Sequence, residues 1–218
     1  MSSGSEHVRR LPVYLLLDTS GSMRGEPIAA LNVGVQAMLQ ALRRDPYALE
    51  TVHLSLITFD IEARELFPLT PLEQVQVPEI QVPESGPTFL GAALNLLIQR
   101  VERDVIRSSA GQRGDWLPLV FVMTDGSPSD VQAYQEATRA IRRGGFGNVV
   151  ACAAGPKAKY EPLRELTDTV VSLDTLDGTG FSEFFRWVSA SIAMGSQSAG
   201  TAESNSLPPL PKEITVAM

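Results

Sequence analysis

Two continuous apolar segments, each followed at once by an acidic loop, constrain the possible folds of this chain more than any other feature. Leu11–Leu17 leads directly into Asp18-Thr19-Ser20-Gly21-Ser22, and Trp116–Met123 leads into Thr124-Asp125-Gly126. Short apolar runs of this kind are typical of strands that are buried on both faces of a parallel sheet. The first run therefore predicts a central strand, and the second predicts another buried strand of the same sheet.

Helical and extended patterns alternate along the rest of the chain. Helices are predicted from Pro27 to Leu42, from Phe89 to about Gly111, and over Val131–Arg143, Tyr160–Leu166 and Ser182–Ile192, where apolar residues recur at helical spacing. Further strands are predicted at Val52–Phe59, Ala63–Phe67, Val149–Ala154 and Val170–Leu173, and residues 68–87 are predicted to be irregular. This alternation predicts an α/β fold that is Rossmann-like and doubly wound. Its mostly parallel central sheet has one antiparallel edge strand and carries helices on both faces.

Length and composition set the domain organisation. A chain of 218 residues with 44% hydrophobic residues is long enough for one α/β domain with a sizeable core. We expect an N-terminal tail at 1–10, the domain at 11–195, and a flexible tail at 196–218, where Ser, Gly, Ala and Pro dominate. No run approaches the apolar length of a membrane span or of a signal-peptide core, so we expect a cytoplasmic protein.

Charge and cysteine content narrow the possible partners. The formal net charge of −7 lacks the cationic footprint that binding to a phosphate backbone needs, so nucleic acid is not an expected partner. The single cysteine, Cys152, excludes an internal disulfide framework and is interpreted as a core residue.

The acidic loop after the first strand carries metal-binding chemistry. Asp18, Ser20 and Ser22 alternate along the loop, so one turn can direct a carboxylate and two hydroxyls to a single point. In an open parallel sheet, ligands bind beyond the carboxyl ends of the strands, and both acidic loops lie there. Such hard oxygen donors suit Mg²⁺, Mn²⁺ or Ca²⁺, whereas Zn²⁺ prefers nitrogen and sulfur.

These residues resemble those of a known family. The sequence Asp18-Thr19-Ser20-Gly21-Ser22 is similar to the Asp-x-Ser-x-Ser element of von Willebrand factor A domains, Gly86-Pro87-Thr88 resembles the family's threonine-bearing loop, and Met123-Thr124-Asp125-Gly126 resembles its Thr-Asp-Gly loop. Three such segments in the family's order are far more specific than any one alone. The resemblance spans about Val13 to Ile192 and implies a complete metal-ion-dependent adhesion site (MIDAS).

The resemblance also implies a role for each residue of the site. Ser20, Ser22 and Thr88 would supply hydroxyl ligands, while Asp18 and Asp125 would hold the cation through waters. Mg²⁺ is the first choice of ion, with Mn²⁺ or Ca²⁺ as alternatives. A cation with few direct carboxylate ligands stays electron-poor, so its open position favours an Asp or Glu carboxylate from a protein partner.

A closer resemblance is to the bacterial tellurium-resistance TerY-type subgroup. It is carried by VYLLLDTSGSMRGEPI, by ITFD followed by ARELFPLTPL, and by GPTFLGAAL. This subgroup implies a metal-dependent adaptor in a tellurite-resistance or stress-response system, with an associated kinase or phosphatase as a possible partner.

Simpler structural roles are considered for several of these residues. Thr88 is placed to cap the helix that begins near Phe89, a role that is compatible with metal binding. Four other aspartates are assigned to turns or helix caps and left out of the site. The helix predicted at Val131–Arg143 is expected to be capped by Ser129 or by Asp130, which is one of these four. The four are Asp60, Asp130, Asp174 and Asp177.

The alternative function is a metal-dependent phosphotransferase or phosphatase-like enzyme, since such enzymes also keep an aspartate at the end of a first buried strand. They usually need a second aspartate two residues later, where this chain has Ser20. Serine hydrolysis would need a histidine base, but His7 lies in the N-terminal tail and His53 near the start of a predicted strand. We therefore expect an interaction domain without catalytic activity.

Overall fold

A computed structural model describes residues 9–83, 86–111, 113–156, 158–197, 207–212 and 214–216. The strands are β1 (Leu11–Asp18), β2 (Val52–Phe59), β3 (Ala63–Pro71), β4 (Leu119–Thr124), β5 (Val149–Ala154), β6 (Thr169–Leu173) and β7 (Ile214–Val216). The helices are α1 (Glu26–Leu42), α2 (Pro46–Thr51), α3 (Leu90–Asp104), α4 (Val131–Arg142), α5 (Glu161–Leu166) and α6 (Gly178–Gln197), and short 3₁₀ turns occur at Gly21–Met23 and Leu72–Gln74.

The seven strands form a single sheet in the order β3-β2-β1-β4-β5-β6-β7. Strands β2, β1, β4, β5 and β6 are parallel, and β3 and β7 pair antiparallel at the two edges. The predicted α/β class and mostly parallel sheet are therefore confirmed. The central position falls to β4, with β1 beside it.

The apolar residues of β1 alternate between two cores. Val13, Leu15 and Leu17 face the core formed with α1 and α6, while Tyr14 and Leu16 face the core formed with α3 and α4. All of them are almost completely buried. A strand that is buried on both faces must be apolar at every position, which explains the continuous apolar run in the sequence.

Two elements differ from the sequence-based expectation. The Asp45-Pro46 pair is a helix-ending signal after the helix predicted to end at Leu42, but it begins the additional helix α2, because the Asp45 carboxylate accepts hydrogen bonds from the backbone N–H groups of Tyr47 and Ala48 at 2.9 and 3.0 Å. The sheet also has a second antiparallel edge, since β7 pairs with β6. Within the segment expected to be a tail, residues 196–197 end α6 and 214–216 form β7, while 198–206, 213 and 217–218 lie outside the described residues.

Packing near the edge explains why this second strand forms. Ile214 is buried against the sheet, and the indole N–H of Trp187 donates to the Pro208 carbonyl at 3.0 Å, which holds the preceding segment on α6. The polar composition of the surrounding segment hides such a short strand from sequence patterns.

Smaller differences concern the ends of several elements: β3 continues to Pro71, so residues 68–71 are not irregular, and α6 runs from Gly178 to Gln197. Helix α3 ends at Asp104 and not near Gly111, and β4 begins at Leu119 and not at Trp116. No helix in the described part of the chain combines the length and apolar character that crossing a membrane requires.

Gly91 marks a close approach between α3 and the start of α4. An ideal Cβ atom on Gly91 would lie 2.3 Å from the backbone nitrogen of Tyr134 and 2.8 Å from Oδ2 of Asp130. Only a glycine allows the two helices to approach this closely. The start of α3, and with it the adjacent Thr88, is therefore fixed against the loop that follows β4.

We expect Gly91→Ala to destabilise the protein, because its Cβ would clash with backbone atoms that cannot easily move, and an overpacking cost of up to about 3 kcal/mol outweighs the roughly 1 kcal/mol that alanine adds in helix propensity. Thermal denaturation followed by circular dichroism measures the change. Gly178→Ala is the control, since an ideal Cβ on Gly178 meets no atom within 4 Å. Equal melting temperatures for Gly91→Ala and the wild type would contradict the prediction.

Candidate metal centre

Asp18 links the two acidic loops at the carboxyl edge of the sheet. Its side chain is fully buried, Oδ1 accepts a hydrogen bond from the backbone N–H of Ser20 at 2.7 Å, and Oδ2 accepts one from the Thr124 hydroxyl at 2.5 Å. The sheet register explains the second contact, because Leu17 pairs with Met123 and the next residues of the two strands are therefore adjacent. The two predicted loops thus lie side by side.

The hydroxyls of Ser20 and Ser22 lie together, with 3.2 Å between their Oγ atoms. The 3₁₀ turn at Gly21–Met23 brings Ser22 back toward Ser20, and the fully buried Met23 anchors that turn in the core. Ser20 is buried, whereas Ser22 is exposed, so the pair opens toward solvent.

Thr88 faces the second acidic loop. Its backbone N–H donates to the Ser129 hydroxyl at 3.3 Å, and its carbonyl accepts from the Ser129 N–H at 2.8 Å. Its own hydroxyl lies 3.0 Å from the position that a Cβ atom on Gly126 would occupy. No hydrogen bond joins this hydroxyl to any residue that the structure describes, although Thr88 is only 7% exposed.

Asp125 contains a buried oxygen without a hydrogen-bond donor. The residue is 9% exposed, and its Oδ1 atom accepts no hydrogen bond from the described residues. A buried carboxylate oxygen with no donor or cation costs free energy, so native proteins rarely leave one unsatisfied. This orphaned oxygen lies in the loop that the Thr88 hydroxyl faces, and a cation bound between the loops would satisfy it.

All of the donors in this group are oxygens. Across the described residues, no group of three or more His, Cys, Asp or Glu side chains is placed to hold a metal ion. The candidate site therefore combines two carboxylates with three hydroxyls: Asp18, Ser20, Ser22, Thr88 and Asp125. Such a donor set suits a hard divalent cation better than Zn²⁺.

The electrostatics of Asp18 also fit a nearby cation. Burial raises the pKa of Asp18 to about 6, hydrogen bonds from Thr124 and Ser20 partly oppose this effect, and the neighbouring Asp125 carboxylate raises the pKa further. In the absence of a cation, the ionised form is therefore disfavoured by its surroundings. A divalent cation would favour the carboxylate form instead.

Two of the aspartates that were left out of the site support its loops. Fully buried Asp60 accepts hydrogen bonds from the Thr19 hydroxyl and from Arg64, each at 3.3 Å. The carboxylate of Asp130 accepts from the backbone N–H groups of Gly91 and Ala92 at 3.0 and 2.7 Å. The expectation that Asp130 caps its own helix is wrong, because it caps α3, and no side chain caps α4.

The remaining two excluded aspartates behave as expected for turn and cap residues. Asp174 is exposed, and Asp177 accepts hydrogen bonds from the N–H groups of Thr179 and Gly180 at 3.0 and 2.9 Å at the start of α6. Thr124 was missed as a supporting residue. The signal that could have identified it is its position at the end of β4, directly beside Asp18 in the predicted parallel register.

A cavity of about 830 Å³ opens at the other end of the parallel strands, beside the first residues of β1 and β4. Its lining includes the apolar side chains of Ile98, Val105 and Phe146, and Arg9 stacks over Trp116 at 3.4 Å from the ring centroid. None of the buried side-chain atoms that lack a hydrogen-bond partner among the described residues belongs to this lining, whereas Asp125 between the acidic loops has one. We therefore place the candidate site at the carboxyl edge of the sheet.

Comparison with known proteins identifies the family of the domain. Residues 13–176 match the sequence model of the von Willebrand factor type A domain. No curated protein matches the chain significantly. The structure is similar to proximal thread matrix protein 1 from the mussel byssus with a zinc-occupied MIDAS motif, at 16% identity and a TM-score of 0.59, covering 87% of this chain and 46% of that one.

Two further solved structures share the fold. The open conformation of the pilus adhesin SpaC from Lactobacillus rhamnosus GG is 13% identical with a TM-score of 0.67, covering 87% of this chain and 30% of that one. A von Willebrand factor type A protein from Catenulispora acidiphila is 16% identical with a TM-score of 0.58, covering 85% and 43%. The chain thus spans less than half the length of each structure, and these identities show a shared fold alone.

We expect Asp18→Asn to leave the metal-free protein at least as stable as the wild type at neutral pH. A pKa raised in the folded state means that the ionised carboxylate destabilises the fold, and the neutral amide removes that cost. Melting temperatures measured in EDTA test this. The control is Asp177→Asn, which should lower the melting temperature, because the backbone N–H of Gly180 lowers the pKa of Asp177. A lower melting temperature for Asp18→Asn than for the wild type would contradict the argument.

Proposed function

Because the chain belongs to the von Willebrand factor type A domain family, we propose that it is a metal-dependent protein-interaction domain. A divalent cation held at a complete MIDAS by Asp18, Ser20, Ser22, Thr88 and Asp125 captures an acidic group of a partner protein. The observation that carries the proposal is the buried Oδ1 atom of Asp125, which accepts no hydrogen bond from the described residues and lies in the loop that the Thr88 hydroxyl faces. A bound cation would satisfy the Asp125 oxygen and could bind the oxygen of the Thr88 hydroxyl.

The donor chemistry favours Mg²⁺. Mg²⁺ binds oxygen ligands and retains several waters, which suits a site with three hydroxyls and two carboxylates that act through water. Mn²⁺ and Ca²⁺ take similar ligands and are the alternatives. Although one structural relative carries zinc at its MIDAS motif, the oxygen-only donor set of this chain disfavours zinc.

The partner contributes the missing anion. Hydroxyl ligands leave most of the cation's positive charge uncompensated, so an exchangeable position binds a carboxylate more strongly than water. Ser22 is exposed, which supports an exchangeable position at the protein surface, where an Asp or Glu of another protein can reach it. The role of the chain is therefore recognition of an acidic residue.

We assign no catalytic activity to the site. A hydrolytic serine would need a base within hydrogen-bond reach, and the half-buried His53 lies at the start of β2, at the opposite edge of the sheet. The second aspartate that haloacid-dehalogenase-like phosphatases use is replaced by Ser20. No observation on the described residues favours the phosphotransferase alternative.

The TerY-type resemblance suggests the cellular system in which the domain acts. We place the chain as an adaptor in the bacterial cytoplasm, within a tellurite-resistance or stress-response system, with an associated kinase or phosphatase as the partner. The segments VYLLLDTSGSMRGEPI and GPTFLGAAL support this assignment, and they include the residues of the first two site loops.

Binding of Mg²⁺ should stabilise the fold. At a free concentration 100 times the dissociation constant, the gain is about 2.7 kcal/mol, which corresponds to a rise of roughly 5–10 °C in melting temperature for a domain of this size. Thermal denaturation with and without MgCl₂ measures the shift, and it should be absent in Asp18→Ala. An equal shift in Asp18→Ala would show that Mg²⁺ binds elsewhere.

Affinity capture tests the adaptor function directly. Wild type and Asp18→Ala are compared with Mg²⁺ and with EDTA, and phosphate release is measured on the same samples. Partner retention that requires both Mg²⁺ and Asp18 supports the proposal. Retention that is indifferent to Mg²⁺ rules it out, while phosphate release that is lost in Asp18→Ala would establish the enzyme instead.

A further inference from the structure

We propose that Asp130 is a positioning residue of the metal site, which holds the start of α3 so that the Thr88 hydroxyl remains free to bind the cation. The proposal rests on the metal-binding function proposed above. It assigns a function in metal affinity to an aspartate that sequence reasoning treats as a turn or cap residue.

The hydrogen bonds of Asp130 cross from one loop to another. An aspartate directly before a helix usually accepts hydrogen bonds from the first N–H groups of that same helix. Asp130 immediately precedes α4, but its two carboxylate oxygens accept from Gly91 and Ala92 of α3, at 3.0 and 2.7 Å. Helix α4 receives no side-chain cap. Asp130 therefore joins the loop that carries Asp125 to the helix that follows Thr88.

This arrangement frees the Thr88 hydroxyl. Threonine just before a helix commonly uses its hydroxyl to bind the first N–H groups of that helix. Here Asp130 binds two of those groups, and Ser129 binds both the backbone N–H and the carbonyl of Thr88. The hydroxyl is thus the one polar group of Thr88 that makes no hydrogen bond within the described part of the chain. It is available as a metal ligand.

The charge of Asp130 also suits a nearby cation. The N-terminus of a helix carries partial positive charge, and the first residue of α3 lies two positions after Thr88. That positive end would repel a cation bound at Thr88. The Asp130 carboxylate accepts hydrogen bonds from the first N–H groups of α3 and offsets their partial charge, so the helix end and the cation can lie close together.

Isothermal titration of the full chain with MgCl₂ tests the proposal. We expect Asp130→Ala to weaken Mg²⁺ binding about 10- to 100-fold, as is usual when a group that orients a metal ligand is lost. Asp130→Asn keeps one acceptor oxygen for the α3 N–H groups and should weaken binding less. It also allows the measurement if Asp130→Ala does not fold.

Asp45→Ala is the matched control. Asp45 caps α2 through the N–H groups of Tyr47 and Ala48, which is the same chemistry at the opposite edge of the sheet. Its loss should lower the melting temperature and leave Mg²⁺ affinity within about twofold of the wild type, since it holds no site loop. A purely structural role for Asp130 would give the same pattern as this control and would overturn the proposal.

A double-mutant cycle with Thr88→Ala separates positioning from charge. If Asp130 acts through Thr88, Asp130→Ala should weaken Mg²⁺ binding no more than about twofold in the Thr88→Ala background. A full loss in that background would show that Asp130 acts on the cation by its charge alone, and not through Thr88, and would overturn the positioning role. Failure of the wild type to bind Mg²⁺ would instead disprove the proposed function itself.

Discussion

The hydrogen bond from the Thr124 hydroxyl to the buried Asp18 carboxylate is the contact on which the rest of the site depends. It forms because β1 and β4 are adjacent and parallel with Leu17 opposite Met123, so the two strands end at the same level. The register itself is set by apolar side chains that alternate between the two cores. The hydrophobic pattern of the strands therefore determines how close the acidic loops lie.

Two further aspartates, neither of them in the proposed ligand set, tie the loops together. Asp60 binds the Thr19 hydroxyl in the first loop, and its backbone carbonyl accepts from the N–H of Phe89 beside Thr88. Asp130 then joins the start of α3 to the loop after β4. The three site loops are thus connected by buried or half-buried hydrogen bonds that do not involve a metal. Such prior ordering lowers the entropic cost of binding a cation.

Sequence patterns predicted the local elements well and the contacts between distant elements poorly. The predicted bounds of β2 and β5 coincide with the structure, because their apolar runs end at clear polar residues. Helix α2 was missed because Asp45-Pro46 can either end one helix or begin another. For Asp130, local sequence predicts a cap but cannot say which helix is capped, since the choice depends on how closely Gly91 lets α3 approach α4. The order of the three site loops could be predicted from the motif segments. The hydrogen bonds of Asp60 and Asp130 that hold these loops together could not be predicted from sequence.

The ligand chemistry of the proposed metal site favours binding of a partner's carboxylate over hydrolysis. Two aspartates flank three hydroxyls, and the buried Asp18 already shares its oxygens with Ser20 and Thr124. In the proposed site the carboxylates act through water, so an ion whose direct ligands are hydroxyl oxygens stays electron-poor. Hydrolysis would also need a base beside the ion, whereas capture of an anion needs only an exchangeable position open to solvent. The exposed Ser22 at the rim provides that opening, so recognition of an acidic residue requires no group beyond those already present.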